Sequence, residues 1–198
     1  MKKSLFLRSV LNFWKYPIYE IGLHSEKNLL SVLEADASRF LKYDCNKYEV
    51  FSCLVSYRNF ASIYNARLKR KKVIWLISRI FFHENKNIEI LTSKIGKGFI
   101  VYHNLGAVIR ARSIGDNVTI SQGVTIGEGG NQNEKNDNDI PIIGNNVLIA
   151  TNALVLGNVI IGDNAIIGAG SVITKDVPAN AVVVGNPQHI INSKEINK

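Results

Sequence analysis

One histidine of this chain is the side chain best suited to act as a general base. Among the four histidines, His103 lies in a repetitive region, His24 and His83 precede that region, and His189 falls near the tail. Imidazole titrates near neutral pH, so a well-placed histidine can remove the proton from a hydroxyl group. Such a base needs an orienting group, and Glu89 precedes His103 by 14 residues. We predict His103 as the general base and Glu89 as its orienting carboxylate, with an exposed strand glutamate as the alternative for Glu89.

The elements that must position these residues come from a repeat with a period of six. An aliphatic residue recurs in phase at Ile114, Ile120 and Ile126 and, after an interruption, at Ile143, Ile149, Val155, Ile161, Ile167 and Ile173. A small or β-branched residue follows four positions later, at Val147, Ala153, Val159, Ala165, Ser171 and Val177. A period of six fits neither a helix nor a simple alternating strand. It is typical of a parallel β-helix, in which three hexapeptides form one coil of about 18 residues.

Ladders of aliphatic side chains are expected to hold such coils together. The predicted ladders pair residues one coil apart, Ile143 with Ile161, Ile149 with Ile167 and Val155 with Ile173. Each pair buries apolar area, which stabilises the fold by roughly 25 cal/mol per Å². The Gly, Asn and Asp residues that follow the aliphatic positions suit corners, where positive φ must be tolerated.

Two irregularities interrupt the repeat and mark places where chemistry is expected. The first is a slip of phase between Val101 and Val108, which predicts an altered corner around His103. The second is the polar segment 128–140, because 17 residues separate Ile126 from Ile143. We interpret it as a loop that protrudes from the coil, and long loops of this kind are usually functional or mobile.

The chain divides into a helical part and a β part. Apolar residues recur at helical spacing in Lys27–Asp44, Val50–Tyr64 and Val73–Phe82. The predicted fold is therefore mainly β: a parallel β-helix domain over residues 88–191, preceded by a small α-helical domain over residues 1–87. Residues 192–198 form a tail.

Charge is distributed unevenly between these parts. Residues 1–92 carry 16 Lys and Arg against 8 Asp and Glu, whereas residues 93–198 carry 8 of each, so the net charge of +8 belongs to the helical part. The run Arg67–Lys72 holds five cations, and a solvated helix face is its simplest explanation. A basic domain can also attract an anionic polymer or a membrane surface. No nucleic-acid-binding motif accompanies the charge, so nucleic acid is not predicted as a partner.

Targeting and redox signals are weak. The start, Met1–Arg8, resembles a signal peptide only briefly, because Arg8 ends its apolar run and no cleavage motif follows. We predict a cytoplasmic protein, with peripheral association at the inner face of the membrane as a further expectation. Cys45 and Cys53 lack a metal-binding spacing and are expected to be unpaired thiols.

Several segments together resemble the serine acetyltransferase-like branch of the hexapeptide acyltransferases. The resemblance covers about half the chain and is carried by the following runs: Ile88–Ile109, Gln122-Gly123-Val124-Thr125-Ile126-Gly127, Ile167-Gly168-Ala169-Gly170-Ser171-Val172, Lys175-Asp176-Val177-Pro178 and Val184-Gly185-Asn186-Pro187. It implies a left-handed β-helix, homotrimers with active sites between subunits, and acetyl transfer from acetyl-CoA to a hydroxyl. It also points to Ala150, Thr151, Ala169 and Lys175 as the acetyl-CoA-binding residues.

Two departures from the serine enzymes affect the predicted acceptor. Their motif has Asp before the catalytic His, where this chain has Tyr102, and a second His before a Pro, where this chain has Ile140. The segment Asp139–Gly144 is instead similar to relatives that acetylate sugars of capsule, O-antigen or exopolysaccharide. We therefore expect a glycan O-acetyltransferase whose acceptor contacts Tyr102, Asn104 and Asp139, with serine O-acetyltransferase as the alternative.

Three other classes are less compatible with the sequence. A γ-class carbonic anhydrase shares the β-helix, but its zinc site requires several histidines in the repeat region, so no metal site is predicted. A sugar nucleotidyltransferase requires a nucleotide-binding domain, and residues 1–92 carry no βαβ pattern. A non-catalytic scaffold has no use for His103, the loop and Lys175 together.

Overall fold

A computed structural model of the chain describes residues 2–103, 105–130 and 139–191. The chain divides into two compact units, Met1–Lys86 and Asn87–Lys198. The first unit is helical, and the second is built from parallel strands that form a left-handed β-helix. The fold class predicted from the sequence is thereby confirmed.

The helical unit contains six α-helices and one short 3₁₀ turn in its described residues. The helices are α1 (Lys2–Leu11), α2 (Tyr16–Ser25), α3 (Leu29–Leu41), α4 (Lys47–Ser56), α5 (Arg58–Leu68) and α6 (Lys72–Phe81), and the 3₁₀ turn is Phe13–Lys15. Helix α4 begins with a capping box, in which the Asn46 side chain accepts hydrogen bonds from the N–H groups of Tyr48 and Glu49 while the Glu49 carboxylate accepts from the Asn46 N–H.

One helical segment expected to be continuous is broken. The apolar pattern of Val50–Tyr64 gives no sign of an interruption, yet Tyr57 adopts an extended conformation (φ −125°, ψ 112°) between α4 and α5. The break leaves the end of α4 next to the beginning of α5. Tyr57 provides no side-chain hydrogen bond to the first turn of α5.

The core of the helical unit combines large aromatic side chains with one buried ion pair. Tyr19, Phe51 and Tyr64 are almost fully buried, and burial raises the pKa of both tyrosine hydroxyls. Beside them, Arg67 donates two parallel hydrogen bonds of 2.9 Å, from Nε and Nη2, to the two carboxylate oxygens of Asp36. The Asp36 carboxylate is inaccessible to solvent and the Arg67 side chain is 6% exposed.

This ion pair corrects the interpretation of the basic run. Arg67 was expected on a solvated face with its neighbours, but it points into the core and neutralises Asp36. Of the other four cations, Arg70, Lys71 and Lys72 are exposed and Lys69 is half-buried. Cys45 and Cys53 are free thiols, and burial raises the pKa of the Cys53 thiol.

The β-helix unit has three faces of parallel strands. Face 1 contains β1 (Ile88–Ile90), β3 (Ala107–Ile109), β6 (Thr125–Gly127), β9 (Leu154–Leu156) and β12 (Val172–Ile173). Face 2 contains β4 (Ser113–Ile114), β7 (Ile142–Ile143) and β10 (Ile160–Ile161). Face 3 contains β2 (Ile100–Val101), β5 (Thr119–Ile120), β8 (Leu148–Ile149), β11 (Ile166–Ile167) and β13 (Val182–Val184), to which β14 (His189–Ile191) adds an antiparallel edge.

The strand register aligns one inward-pointing aliphatic side chain per face in every coil. The three predicted ladders are present: Ile143 aligns with Ile161, Ile149 with Ile167 and Val155 with Ile173. All six residues are at most 2% exposed. The final coil is shorter than expected, because Val177 is not a corner residue but aligns with Ile161 as the inward residue of face 2.

Asparagine side chains stack along one corner of the β-helix. Asn117, Asn146, Asn164 and Asn180 all have positive φ, and each of the first three donates a side-chain hydrogen bond of 3.0–3.1 Å to the next. In the same corner, Asp163 accepts hydrogen bonds from the backbone and side-chain N–H groups of Asn145, which lower the pKa of its carboxyl. These ladders satisfy polar groups that the sharp turns would otherwise leave unpaired.

The buried ion pair of the helical unit predicts a stability effect. We expect Arg67→Met to lower the free energy of unfolding by about 3–5 kcal/mol, because the Asp36 carboxylate then stays buried without its guanidinium partner. Urea unfolding followed by circular dichroism measures the change. Arg70→Met removes an exposed cation from the same run and serves as the matched control. A loss of less than about 1 kcal/mol for Arg67→Met would contradict the assigned role.

Candidate functional site

His103 lies in a corner that is longer than any regular corner between faces 3 and 1. Successive inward residues across that edge are normally six apart, as from Ile149 to Val155, but Val101 and Ile109 are eight apart. The corner thus contains two additional residues, and the next inward residue is Ile109 rather than Val108, which is 40% exposed. The phase slip predicted from the sequence is therefore larger than expected.

The backbone of His103 is in the left-handed region, with φ at 64°. Every other non-glycine residue with positive φ in the described part of the β-helix unit is an asparagine. The conformation costs a non-glycine side chain of ordinary type about 1–3 kcal/mol and tends to persist at functional sites. The imidazole is exposed at this corner, with its centroid 6.3 Å from that of the half-buried Tyr102 ring.

Glycine residues allow the next coil of the β-helix to stack closely on the His103 corner. The Gly123 N–H donates to the carbonyl groups of Leu105 and Gly106. A Cβ on Gly123 would lie 1.9 Å from Oδ1 of Asn152, so the Asn152 side chain would have to move. The φ of 71° at Gly123 also favours glycine. Gly106 itself has φ of 63°. The His103 corner is thus fixed by close backbone stacking.

Three of the predicted acetyl-CoA-binding residues lie on the same edge as His103. We call this edge, made of corners 102–106, 121–123, 150–152 and 168–170, the His103 edge. The Asn152 N–H donates to Gln122 O at 3.0 Å and the Gly170 N–H donates to Thr151 O at 2.9 Å, so the corners stack directly. Ala150 and Thr151 lie two coils from His103 and Ala169 lies three coils away, which is roughly 14 Å at the usual strand spacing.

The other predicted residues lie on a different edge. Lys175 follows β12 and Asp139 precedes β7, so both belong to the edge between faces 1 and 2, which we call the loop edge. Asp139 Oδ2 accepts a hydrogen bond of 3.3 Å from the Gly129 N–H and closes the base of the segment 128–140. Lys175 is exposed, and its backbone N–H donates to Gln188 Oε1 at 2.9 Å.

Ile140 is a core residue. It is 5% exposed and is followed by the buried Pro141, whose carbonyl accepts a hydrogen bond of 2.8 Å from the Arg112 N–H. Residues 131–138 of the predicted loop and the predicted acceptor contact Asn104 lie outside the described residues, as does the tail.

Glu89 lies on the outer surface of face 1. The register pairs it with Val108, five residues after His103, and its side chain is exposed. Successive inward residues Ile90 and Ile95 are five apart rather than six. Glu89 therefore lies in the same coil as His103, on face 1, which adjoins the His103 edge.

Sequence reasoning did not single out a cluster of polar groups at the base of the loop. Arg110 forms an ion pair with Glu128, and Arg112 Nη2 donates to Asn158 Oδ1 at 3.2 Å. The two arginines are the only Lys or Arg residues between Lys97 and Lys135, a signal that could have drawn attention to this edge. Among the described residues, no group of three or more His, Cys, Asp or Glu is arranged to hold a metal ion.

Comparison with known proteins connects this geometry to a family. The family described as Bacterial transferase hexapeptide (six repeats) matches residues 140–175. A serine acetyltransferase of Staphylococcus epidermidis is 40% identical over 149 residues, which are 74% of this chain and 65% of that protein. The chloroplastic serine acetyltransferase 1 of Arabidopsis thaliana is 35% identical over 184 residues, which are 89% of this chain and 55% of that protein. The chain thus spans between half and two thirds of the length of these curated relatives.

A solved structure gives the same relationship at greater coverage. Soybean serine acetyltransferase complexed with serine superposes with a TM-score of 0.72 at 33% identity, covering 89% of this chain and 74% of the soybean chain. The resemblance inferred from the hexapeptides and the His103 segment is thereby confirmed. The chain belongs to the hexapeptide-repeat acyltransferases, in the branch that contains the serine acetyltransferases.

Proposed function

We propose that the protein is an acetyl-CoA-dependent O-acetyltransferase with His103 as its general base. The observation that carries the proposal is the His103 corner itself. It combines two additional residues, a left-handed backbone and an exposed imidazole at the end of an edge lined by small residues. The Asn-containing corners of the same unit share the left-handed backbone, but they have neither the two additional residues nor an exposed imidazole.

The chemistry follows from the poor nucleophilicity of a protonated hydroxyl. The imidazole of His103 takes the proton as the acceptor oxygen bonds to the thioester carbonyl carbon. The carbon–sulfur bond then breaks, and the imidazolium returns the proton to the departing CoA sulfur. Transfer is direct, so no acyl-enzyme on Ser or Cys is required. Glu89 is the proposed orienting carboxylate, supported by its place in the same coil on the adjoining face.

The His103 edge is the proposed track for the extended arm of acetyl-CoA. Ala150, Thr151 and Ala169 are small or short residues at successive corners, so main-chain groups remain accessible to the pantetheine amides. Lys175 is the proposed contact for a CoA phosphate, because an exposed ammonium pairs readily with phosphate.

Removal of the imidazole should abolish most of the activity without disturbing the corner. We expect His103→Asn to lower turnover by roughly 10²–10⁴-fold, the usual contribution of a general base. Asparagine tolerates positive φ, as it does in five other corners of this unit, so the backbone should remain in place. Release of CoA thiol measures turnover, and titration calorimetry with acetyl-CoA verifies that the cofactor site is intact. Near-wild-type turnover of His103→Asn would overturn the assignment.

Serine is the acceptor that the relatives support best. The sequence favoured a glycan hydroxyl, whereas the relatives at 33–40% identity are serine acetyltransferases and one of them was solved with serine bound. We therefore propose L-serine as the first acceptor to test. A glycan hydroxyl remains the second candidate because of one specific observation. Ile140 occupies the position of the serine enzymes' second histidine and is buried, so it cannot contact a polar amino acid.

An acceptor comparison distinguishes the two candidates. If serine is the acceptor, L-serine should raise CoA thiol release well above the background hydrolysis of acetyl-CoA, and His103→Asn should lower the serine-dependent rate by roughly 10²–10⁴-fold. The matched measurement uses oligosaccharide fragments of surface polysaccharides under the same conditions. Turnover with an oligosaccharide and none with L-serine would contradict the serine proposal and support the glycan.

We also propose that the active site is shared between copies in a homotrimer. Lys175 and Asp139 lie on the loop edge, and a face of about six residues separates this edge from the His103 edge by roughly 15–20 Å. A neighbouring copy that places its loop edge against the His103 edge would unite the two sets. In the helical unit, Val73, Leu76, Ile77 and Ile80 form an exposed apolar stripe on α6, which a second copy could cover.

The helical unit also supports a proposal about location. None of the helices that the structure describes has the length and apolar character needed to cross a membrane. Helix α1 and the 3₁₀ turn nevertheless expose Phe6, Leu7, Leu11 and Trp14. With the basic charge of residues 1–92, this surface suits peripheral attachment to an anionic membrane leaflet.

A further inference from the structure

A cavity in the helical unit is lined by four basic side chains and a serine, together with four apolar residues. It has a volume of about 290 Å³ and is formed where the end of α1, the 3₁₀ turn, the α4–α5 junction and the residues after α6 meet. Its basic lining residues are Arg8, Lys15, Arg58 and His83, and no carboxylate lines it. None of the residues proposed for acetyl transfer lines this cavity.

No acidic partner in the described part of the chain accounts for the three cations, Arg8, Lys15 and Arg58, that line this cavity together with His83. Among the described residues, none of them takes part in an ion pair, and the nearest acid in sequence, Glu84, pairs with Arg79 at 3.2 Å. Arg8 Nη1 donates to the Ser56 carbonyl at 3.4 Å, which holds the guanidinium against the α4–α5 junction. Lys15 Nζ lies 5.3 Å from the centre of the Trp14 ring, a contact that leaves its hydrogens available. Arg8 and Arg58 are exposed and Lys15 is half-buried, so water screens their mutual repulsion, and a bound anion would remove it.

The α4–α5 junction adds two further features that suit an anion. Helix α5 begins at Arg58 and has no side-chain cap from Tyr57, so its first N–H groups lack intrahelical acceptors and its positive dipole end adjoins the cavity. Ser56 also lines the cavity, and its Oγ is the one solvent-inaccessible side-chain polar atom of the described residues without a hydrogen-bond partner. A buried hydroxyl normally has a partner, so its orphan state points to a missing acceptor.

We propose that this cavity binds a phosphate group, as inorganic phosphate or as a phosphomonoester. Phosphate supplies acceptor oxygens for Arg8, for Arg58 and for the ammonium of Lys15. Rotation of the Ser56 side chain toward the cavity would bring its buried hydroxyl to the same ligand. Helix N-termini flanked by cations bind phosphate in many proteins. The cavity has about the volume of nine or ten water molecules, so it also admits part of the group that carries the phosphate.

Thermal denaturation of the full-length chain in phosphate-free buffer tests the proposal, with inorganic phosphate added at constant ionic strength. Phosphate should raise Tm of the wild type, because a ligand that binds the folded state stabilises it. Arg58→Gln should weaken phosphate binding about tenfold or more. Arg70→Gln, which removes an exposed cation outside the cavity, should retain the wild-type response.

Ser56→Ala separates binding from folding. Removal of an unpaired buried hydroxyl should leave Tm unchanged or higher without phosphate, yet it should reduce the rise that phosphate produces. Acetyl transfer should stay at the wild-type level in all three variants, so failure here is distinguishable from failure of the proposed enzyme activity. No phosphate response in the wild type at millimolar concentrations, or an equal loss in Arg70→Gln, would overturn the site.

A vesicle-binding experiment identifies whether the phosphate belongs to a lipid headgroup or to a soluble ligand. Phosphatidylcholine vesicles with and without phosphatidic acid are sedimented with the wild type and with Arg58→Gln. Sedimentation that requires phosphatidic acid and falls in Arg58→Gln assigns a lipid headgroup and supports the membrane location proposed above. A phosphate response without vesicle binding assigns a soluble phosphorylated ligand and removes that support.

Discussion

The register between coils is the constraint on which the rest of the β-helix depends. Each coil must present an inward aliphatic side chain on each face, because a slip of one residue would turn that side chain outward and expose the core. The spacing from face 2 to face 3 is six residues in every coil, as from Ile143 to Ile149 and from Val177 to Val183. Additional or missing residues are therefore confined to the other two edges.

This confinement explains where the proposed chemistry lies. The edge between faces 3 and 1 accommodates two additional residues around His103, and the edge between faces 1 and 2 accommodates the segment 128–140. A regular corner is filled by Asn or Gly with positive φ and carries no side chain able to move a proton near neutral pH. The irregular corners are the positions where the chain can present a different side chain without disturbing the ladders.

Sequence reasoning predicted the parts of the fold that strong periodicity encodes. The ladders through Val155 and Ile161 followed directly from the period of six, and the His103 corner followed from its interruption. The sequence did not place Val177 on face 2, because Val177 also fits the position four residues after the inward Ile173. The last corner between faces 1 and 2 is two residues shorter than the period of six, so Val177 is the inward residue there. The spacing of 14 residues suggested that Glu89 and His103 stack on adjacent coils, whereas the register places them in the same coil. Spacing along the chain also does not determine how an exposed side chain is oriented.

The helical unit was less predictable because its decisive features are non-local. Nothing in the run Arg67–Lys72 distinguishes Arg67 from its neighbours, and its buried role depends on Asp36, 31 residues earlier. The break at Tyr57 likewise has no Gly or Pro to announce it. The cation-lined cavity arises from four separate segments of the unit, so the uneven charge was visible in the sequence whereas its convergence was not.

The most direct test of this account is a crystal structure of the full-length chain with bound CoA. We expect the CoA arm to follow the His103 edge past Thr151 and Ala169, with its sulfur at the His103 end, and a neighbouring copy's loop edge to cover it. CoA bound along any other edge, or with its sulfur remote from His103, would contradict the central claim that this irregular corner is the catalytic centre.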